Sequence, residues 1–139
     1  MVVRVRLRVV RQDKSLDLIA LVNSGYEADT PQLMVPVSVA KELGLWPPPL
    51  DAQERVFDTA GGPLRVWVAS KAVKVKVVAG DAESAEVVAD LVISRTADEP
   101  LISDLLSDEL GIAIEWPGKG AWRFRWEPPE RARRSESRA

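Results

Sequence analysis

Val3, Val5, Leu7 and Val9 stand at every second position, with Arg4, Arg6 and Arg8 filling the gaps between them. Successive side chains of an extended strand point to opposite faces, so this spacing gathers the apolar groups on one side and the guanidinium groups on the other. A helix would scatter both sets around its circumference. The same pattern returns at Val73, Val75 and Val77, with Lys74 and Lys76 between them. A chain written this way twice must build much of its core from half-buried strands. At 139 residues and 46% apolar composition it has material for one domain with a real core, and too little length for two.

The rest of the chain reads as further hairpins. Gln12 to Ser15 is a polar turn, and Leu16 to Val22 is then apolar almost throughout, as expected of a strand buried on both faces. It runs directly into Asn23-Ser24-Gly25. Past Pro31, Leu33 to Val35 reads as a short strand, and Val37 to Leu43 as about two helical turns closed by Gly44. Trp46 to Pro49 is too rich in proline for regular structure and acts as a connector. Arg55 to Asp58 and Leu64 to Ser70 flank Thr59-Ala60-Gly61-Gly62-Pro63, a hairpin with a turn-rich tip. Gly80-Asp81 turns the next strand into Glu86 to Ile93. Ser103 can cap a helix from Asp104 to Leu110 that Gly111 ends, and Ile112 to Trp116 pairs with Ala121 to Trp126. The expected architecture is mainly β, a closed barrel or sandwich of hairpins with two short helices, over residues 1–126. Residues 127–139 are Pro, Arg, Glu and Ser with little to pack, so this charged tail should be mobile.

Cysteine and histidine are both absent. Disulfides, thiolate nucleophiles, Ser-His and Cys-His catalysis and the usual transition-metal sites therefore fall away, and no metal or cofactor is implied. Carboxylates, hydroxyls, Lys, Arg and backbone amides remain as possible reactive groups. The formal charge of −2 gives no general attraction to nucleic acid, and no stretch approaches the run of about 18 apolar residues that a membrane helix needs. The first ten residues lack the apolar core of a signal peptide, which makes the cytoplasm the default compartment. Ten Pro, two Met and abundant charged residues suit a protein that works hot.

Three segments, in this order, resemble the retropepsin family of aspartic proteases: Ala20-Leu21-Val22-Asn23-Ser24-Gly25, the hairpin tip at Gly61-Gly62, and Leu101-Ile102-Ser103-Asp104-Leu105-Leu106. In that family a buried strand delivers Asp-Thr/Ser-Gly to a loop, a glycine-bearing hairpin forms a flap over the substrate, and an apolar pair plus Gly precedes a helix. The Leu33 to Leu45 segment adds a helix similar to that of cellular and prokaryotic members. Two departures stand out. Asn23 takes the place of the catalytic Asp, and Ser103 that of the usual Gly, which implies a different helix crossing or an added hydrogen bond.

The resemblance implies an acid-protease half that works as a homodimer on extended peptides or unfolded proteins, without nucleic acid or membrane. Hydrolysis by this route uses two carboxylates about 3 Å apart that share a proton and activate one water. One such loop per chain requires two chains about a two-fold axis. On this reading Asn23 marks the catalytic position, Ser24 bonds to the partner's loop, Gly25 permits a tight turn, and Thr59, Ala60, Gly61 and Gly62 form the substrate-covering flap. An asparagine amide does not ionise near neutral pH, and losing general-base assistance costs on the order of 10²–10⁴-fold. The sequence as written is therefore expected to be inactive, either through an engineered change at position 23 or as a natural relative that keeps the cleft for binding. The rival reading is a catalytically silent β module that binds peptide or protein, and a third is a purely structural dimerisation domain.

Other features take plainer readings. Asp58, beside the flap, could touch substrate, Asp29 is a further carboxylate, and Asp104 suits the first turn of a helix. The five Trp belong mostly to core or interface, with Trp122 and Trp126 on one face of the last strand. The arginines at 4, 6, 8, 131, 133 and 134 read as a solvated strand face and a charged tail.

Overall fold

The computed structural model describes residues 2–138; residues 1 and 139, the outer ends of the expected domain and tail, lie outside the described residues. Strands β1 (Arg4–Arg11) and β2 (Lys14–Val22) form the first antiparallel hairpin, in register from Arg4 opposite Leu21 to Arg11 opposite Lys14. Alternation works as written: Val5, Leu7 and Val9 are fully buried. The arginines between them face acids, Arg4 with Glu99 at 2.8 Å, Arg6 with Glu136 at 4.0 Å and Arg8 with Asp17 at 2.9 Å.

Strand β3 (Gln32–Pro36) leads directly into helix α1 (Val37–Glu42), whose Ala40 points into the core. Strands β4 (Gln53–Thr59) and β5 (Gly62–Val77) form the glycine-tipped hairpin, and β6 (Val87–Ser94) runs back along β5. The two-residue β7 (Leu101–Ile102) precedes α2 (Asp104–Glu109), and β8 (Ile112–Trp116) and β9 (Ala121–Phe124) close the expected last hairpin. A short β10 (Arg133–Arg134) completes the described chain.

The fold is mainly β and its principal sheet is ringed. Seven strands run in the order β1-β2-β7-β3-β6-β5-β4, and a further β1–β5 pairing joins six of them into a closed wall from which β4 hangs on the outside of β5. Inside lies a core that includes Leu33, Val35, Leu91, Ile93, Ile102, Leu106 and Phe124. A smaller cluster of Tyr26, Met34, Val66, Val68 and Val92 covers the other face of β3, β5 and β6. Two cores on opposite faces explain why β3 and β6 carry almost no polar alternation.

Two expectations need correction. The sequence divides Leu64 to Ser70 from Val73 to Val77, but both belong to the 16-residue β5, which bulges between Ala69 and Val73. Lys71 sits there at φ 50°, and its N–H donates to the Asp90 carboxylate at 2.8 Å, so the bulge stays hydrogen-bonded. Trp126 does not share the face of Trp122, because β9 ends at Phe124 and the Glu127 N–H turns back to the Phe124 carbonyl at 2.9 Å. Trp122 is buried, whereas Trp126 is 59% exposed, stacks on Phe124 at 4.5 Å and leaves Gly111 (φ 74°) no room for a Cβ, which would lie 2.7 Å from the indole. Trp116 is exposed as well.

The tail has polar partners in place of apolar ones. β10 pairs with β9, the Ser135 N–H donates to the Gly120 carbonyl at 2.7 Å, and the Glu136 N–H to the Arg4 carbonyl at 2.9 Å. Arg133 bridges Glu127 and Asp81, Arg131 reaches Asp81 at 2.7 Å, and Arg138 reaches Asp98 at 3.0 Å. Arg133 holds the Asp81 carboxyl down to about 2 and lowers Glu127 as well. The tail folds back across the start of β1.

Candidate functional site

β2 delivers Asn23 to its loop along a hydrogen-bonded track. The Leu21 N–H donates to the Pro100 carbonyl at 2.9 Å, Val22 to Val3 at 2.9 Å, and Asn23 to Ile102 at 3.2 Å. Leu21 and Val22 lie parallel to Leu101 and Ile102, and β7 is thereby wedged between β2 and β3. Ser103 then caps α2, its Oγ accepting from the Leu106 N–H at 3.3 Å and from the Gln32 N–H at 3.0 Å. That second contact is an added hydrogen bond of the kind the serine suggests, and it ties α2 to β3.

Asn23 turns the chain with its own side chain. Its Oδ1 accepts from the Gly25 N–H at 3.1 Å, and its carbonyl accepts from the Tyr26 N–H at 3.0 Å. A carboxylate oxygen could accept the first bond equally well. Ser24 is exposed, and its hydroxyl forms no hydrogen bond among the described residues. The φ of Gly25 lies outside the left-handed region, and within this chain an added Cβ would meet only Asn23 Oδ1 at 3.4 Å.

Across from this loop stands the β4–β5 hairpin. Gly62 at φ 107° makes the tip, and the Thr59 hydroxyl fastens it by donating to the Gly62 carbonyl at 2.7 Å and accepting from the Gly61 N–H at 3.2 Å. Between hairpin and loop lies an open cleft of about 1040 Å³. Asn23 and Gly25 line one side and Thr59 and Ala60 another, whereas Ser24, Gly61 and Gly62 are not on its wall. Among the described residues, the outer edge of β4 has no neighbouring strand, so its backbone groups are available to an extended chain.

The floor of the cleft carries a polar chain absent from the sequence reading, buried at Tyr26, Gln32 and Asp90 and open at Thr30. The Tyr26 hydroxyl donates to Gln32 Oε1 at 2.8 Å, Gln32 Nε2 donates to Thr30 Oγ1 at 3.1 Å, and Thr30 donates to Asp90 Oδ2 at 2.6 Å. Burial pushes the Tyr26 phenol well above its usual range, so it acts as a neutral donor. Tyr26 is the only tyrosine and lies three residues after Asn23, which was the available signal; nothing local links Gln32 or Asp90 to that loop. Asp29 and Asp58 line the cleft together with Glu27, Asp51 and Asp90, against the single cation Arg55. Asp104 does not line it; its Oδ1 accepts from the Leu105 N–H at 2.7 Å and the Ala28 N–H at 3.2 Å, holding the loop to α2.

Among the described residues, no group of three or more potential ligands is placed to hold a metal ion, and no helix is long and apolar enough to cross a membrane. The site offers an open cleft, a strand edge, hydroxyl and amide groups, and carboxylates. No protein-family model matches the chain, and no curated protein matches it.

Proposed function

We propose that this chain is one half of a retropepsin-type aspartic endopeptidase, a homodimer in which two copies of residue 23 face each other and which Asn23 leaves without its reactive carboxylates. The observation that supports it best is that Asn23 and Gly25 share one cleft with Thr59 and Ala60, segments more than thirty positions apart in the sequence. The substrate is an extended peptide or unfolded protein laid along β4 as an added strand. In this reading the exposed Ser24 hydroxyl is free for the partner's loop, and the proposed compartment is the cytoplasm.

The chemistry missing from the chain as written is the shared proton. With aspartate at both positions, one carboxylate would deprotonate a water and the other would protonate the scissile carbonyl, and the pair would titrate with two separated apparent pKa values. Two asparagines supply neither function.

The test is Asn23→Asp, assayed on an unfolded protein from pH 3 to 7. We expect cleavage to rise by at least about 10²-fold over the unmodified chain, with a bell-shaped pH profile and a rate that falls on dilution below the dimer constant. A reverted protein that dimerises and binds peptide without cutting it is a silent binding module. One that remains a monomer at all concentrations has no dyad, and the reading fails.

A further inference from the structure

We propose that the cleft selects extended peptides carrying a lysine or arginine, whose charged head it seats against the Asp90 carboxylate. This rests on the reading of the cleft as a peptide site, and adds the class of peptide.

The starting point is a buried charge without a counter-charge. Asp90 is 8% exposed, the most buried carboxylate residue among the described ones. Two other well-covered acids, Glu127 and Glu99, have side chains 10% and 12% exposed and are held by Arg133 and Arg4. Asp90 has only neutral donors, the Lys71 N–H at 2.8 Å and the Thr30 hydroxyl at 2.6 Å, and among the described residues no lysine or arginine head pairs with it. Buried charges are normally paired, because neutral hydrogen bonds recover only part of the lost hydration. An ionised carboxylate can accept about four hydrogen bonds, so roughly half of that capacity stays open.

Asp90 can also be reached. Ala89, Leu91 and Ile93 fill the inner core, so Asp90 alternates to the outer face of β6, beside Val92 and the cleft. With Thr30 it borders both the cleft of about 1040 Å³ and an adjoining cavity of about 600 Å³. It stands where the two meet.

The surroundings decide the ligand class. Among the described residues no group of three potential metal ligands forms, so an organic cation fits better than a metal ion. Met34 and Val68 border the same cleft and would cover the aliphatic stem of a lysine or arginine while its head reaches the carboxylate. The cations on the two walls are Arg55 and Lys71, and neither pairs with a carboxylate among the described residues; Arg55 Nε donates to Gln53 Oε1 at 3.2 Å. Glu27, Asp29 and Asp51 also line the cleft, but they are exposed and supply a screened field, while Asp90 supplies the seat.

Because Asn23 removes the reactive carboxylate, the unmodified chain can hold peptide without cutting it. The experiment measures its binding, by fluorescence anisotropy, to labelled apolar peptides in which one position at a time carries Lys, Arg or the uncharged norleucine. At one position we expect Lys or Arg to bind roughly tenfold tighter than norleucine, and Asp90→Asn to bring them within about twofold while norleucine peptides bind as before. Asparagine keeps an acceptor for the Lys71 N–H, and circular dichroism checks the fold of the variant. Independently of any variant, the ¹³C shift of the Asp90 carboxyl should move with the Lys peptide and not with its norleucine counterpart. Equal binding of Lys and norleucine peptides at every position overturns the selection of basic peptides and leaves the peptide cleft standing, whereas failure to bind any peptide removes both. A preference lost equally in Asp29→Asn is a diffuse field, and overturns the assignment to Asp90.

Discussion

The ring and the tail are held by different physics. Val5, Leu7, Val9, Leu91 and Ile93 have no exposed surface, and their contribution comes from apolar area removed from water, which depends little on pH or salt. None of residues 131 to 138 is fully buried, and they stay in place through arginine–carboxylate pairs and a few hydrogen bonds to Gly120 and Arg4. Such pairs respond to both protons and salt. One chain therefore contains a part that should be indifferent to its solvent and a part that should not.

Substitutions can sharpen that contrast. Leu91→Ala, in the middle of β6, should lower stability by about 2–5 kcal/mol in urea unfolding, by the same amount at low and high salt. Arg133→Met should cost less, about 1–2 kcal/mol, because it strands the largely buried Glu127 carboxylate yet leaves that group the Phe124 N–H at 3.0 Å. Arg131→Met, at an exposed pair, should change stability by under about 1 kcal/mol. An Arg133→Met protein as stable as the unmodified chain would show that the tail is not held by its charges.

The smallest expected effect is a response to acid. Asp81 has its pKa lowered from 3.8 to about 2, first by the Arg133 hydrogen bond. A carboxylate depressed in the folded state stabilises it above the unfolded pKa, and that contribution fades as pH falls through the folded value. Glu127 is lowered in the same sense by the same arginine. Backbone NMR relaxation of Ser135 and Glu136 should therefore report loosening between about pH 4 and pH 2, while Val5 and Leu91 remain rigid. Simultaneous loosening of both regions would erase the distinction.

The same contrast explains what could be read in advance. The alternation at Val3 to Val9, the Ser103 cap and the Gly62 tip are local signals, because period, capping and positive φ are properties of a few neighbouring residues. Tail docking was not legible, since nothing near Arg133 in the sequence points to Asp81, fifty-two positions away. The continuity of β5 was hidden for the same reason: Ser70 and Lys71 look like a break until Asp90 on β6 accepts the bulged N–H. At the cleft, Asn23 and the hairpin tip were legible as motifs. The floor was not, because Tyr26, Gln32, Thr30 and Asp90 meet only once β3 and β6 lie side by side.

β5 has one further implication. Val75 is gripped from both sides, by Val9 of β1 and Val87 of β6, but beyond Val66, opposite Ser94, the strand has only β4 beside it. Mechanically this is a beam clamped in the wall, with a two-stranded overhang that ends across the cleft from Asn23. Its tip moves by flexing a twisted ribbon, with no pivot at the root, so reach and stiffness are set together by the length of the overhang. Inserting one facing residue pair would carry the tip outward by roughly 3.3 Å and soften it in the same step.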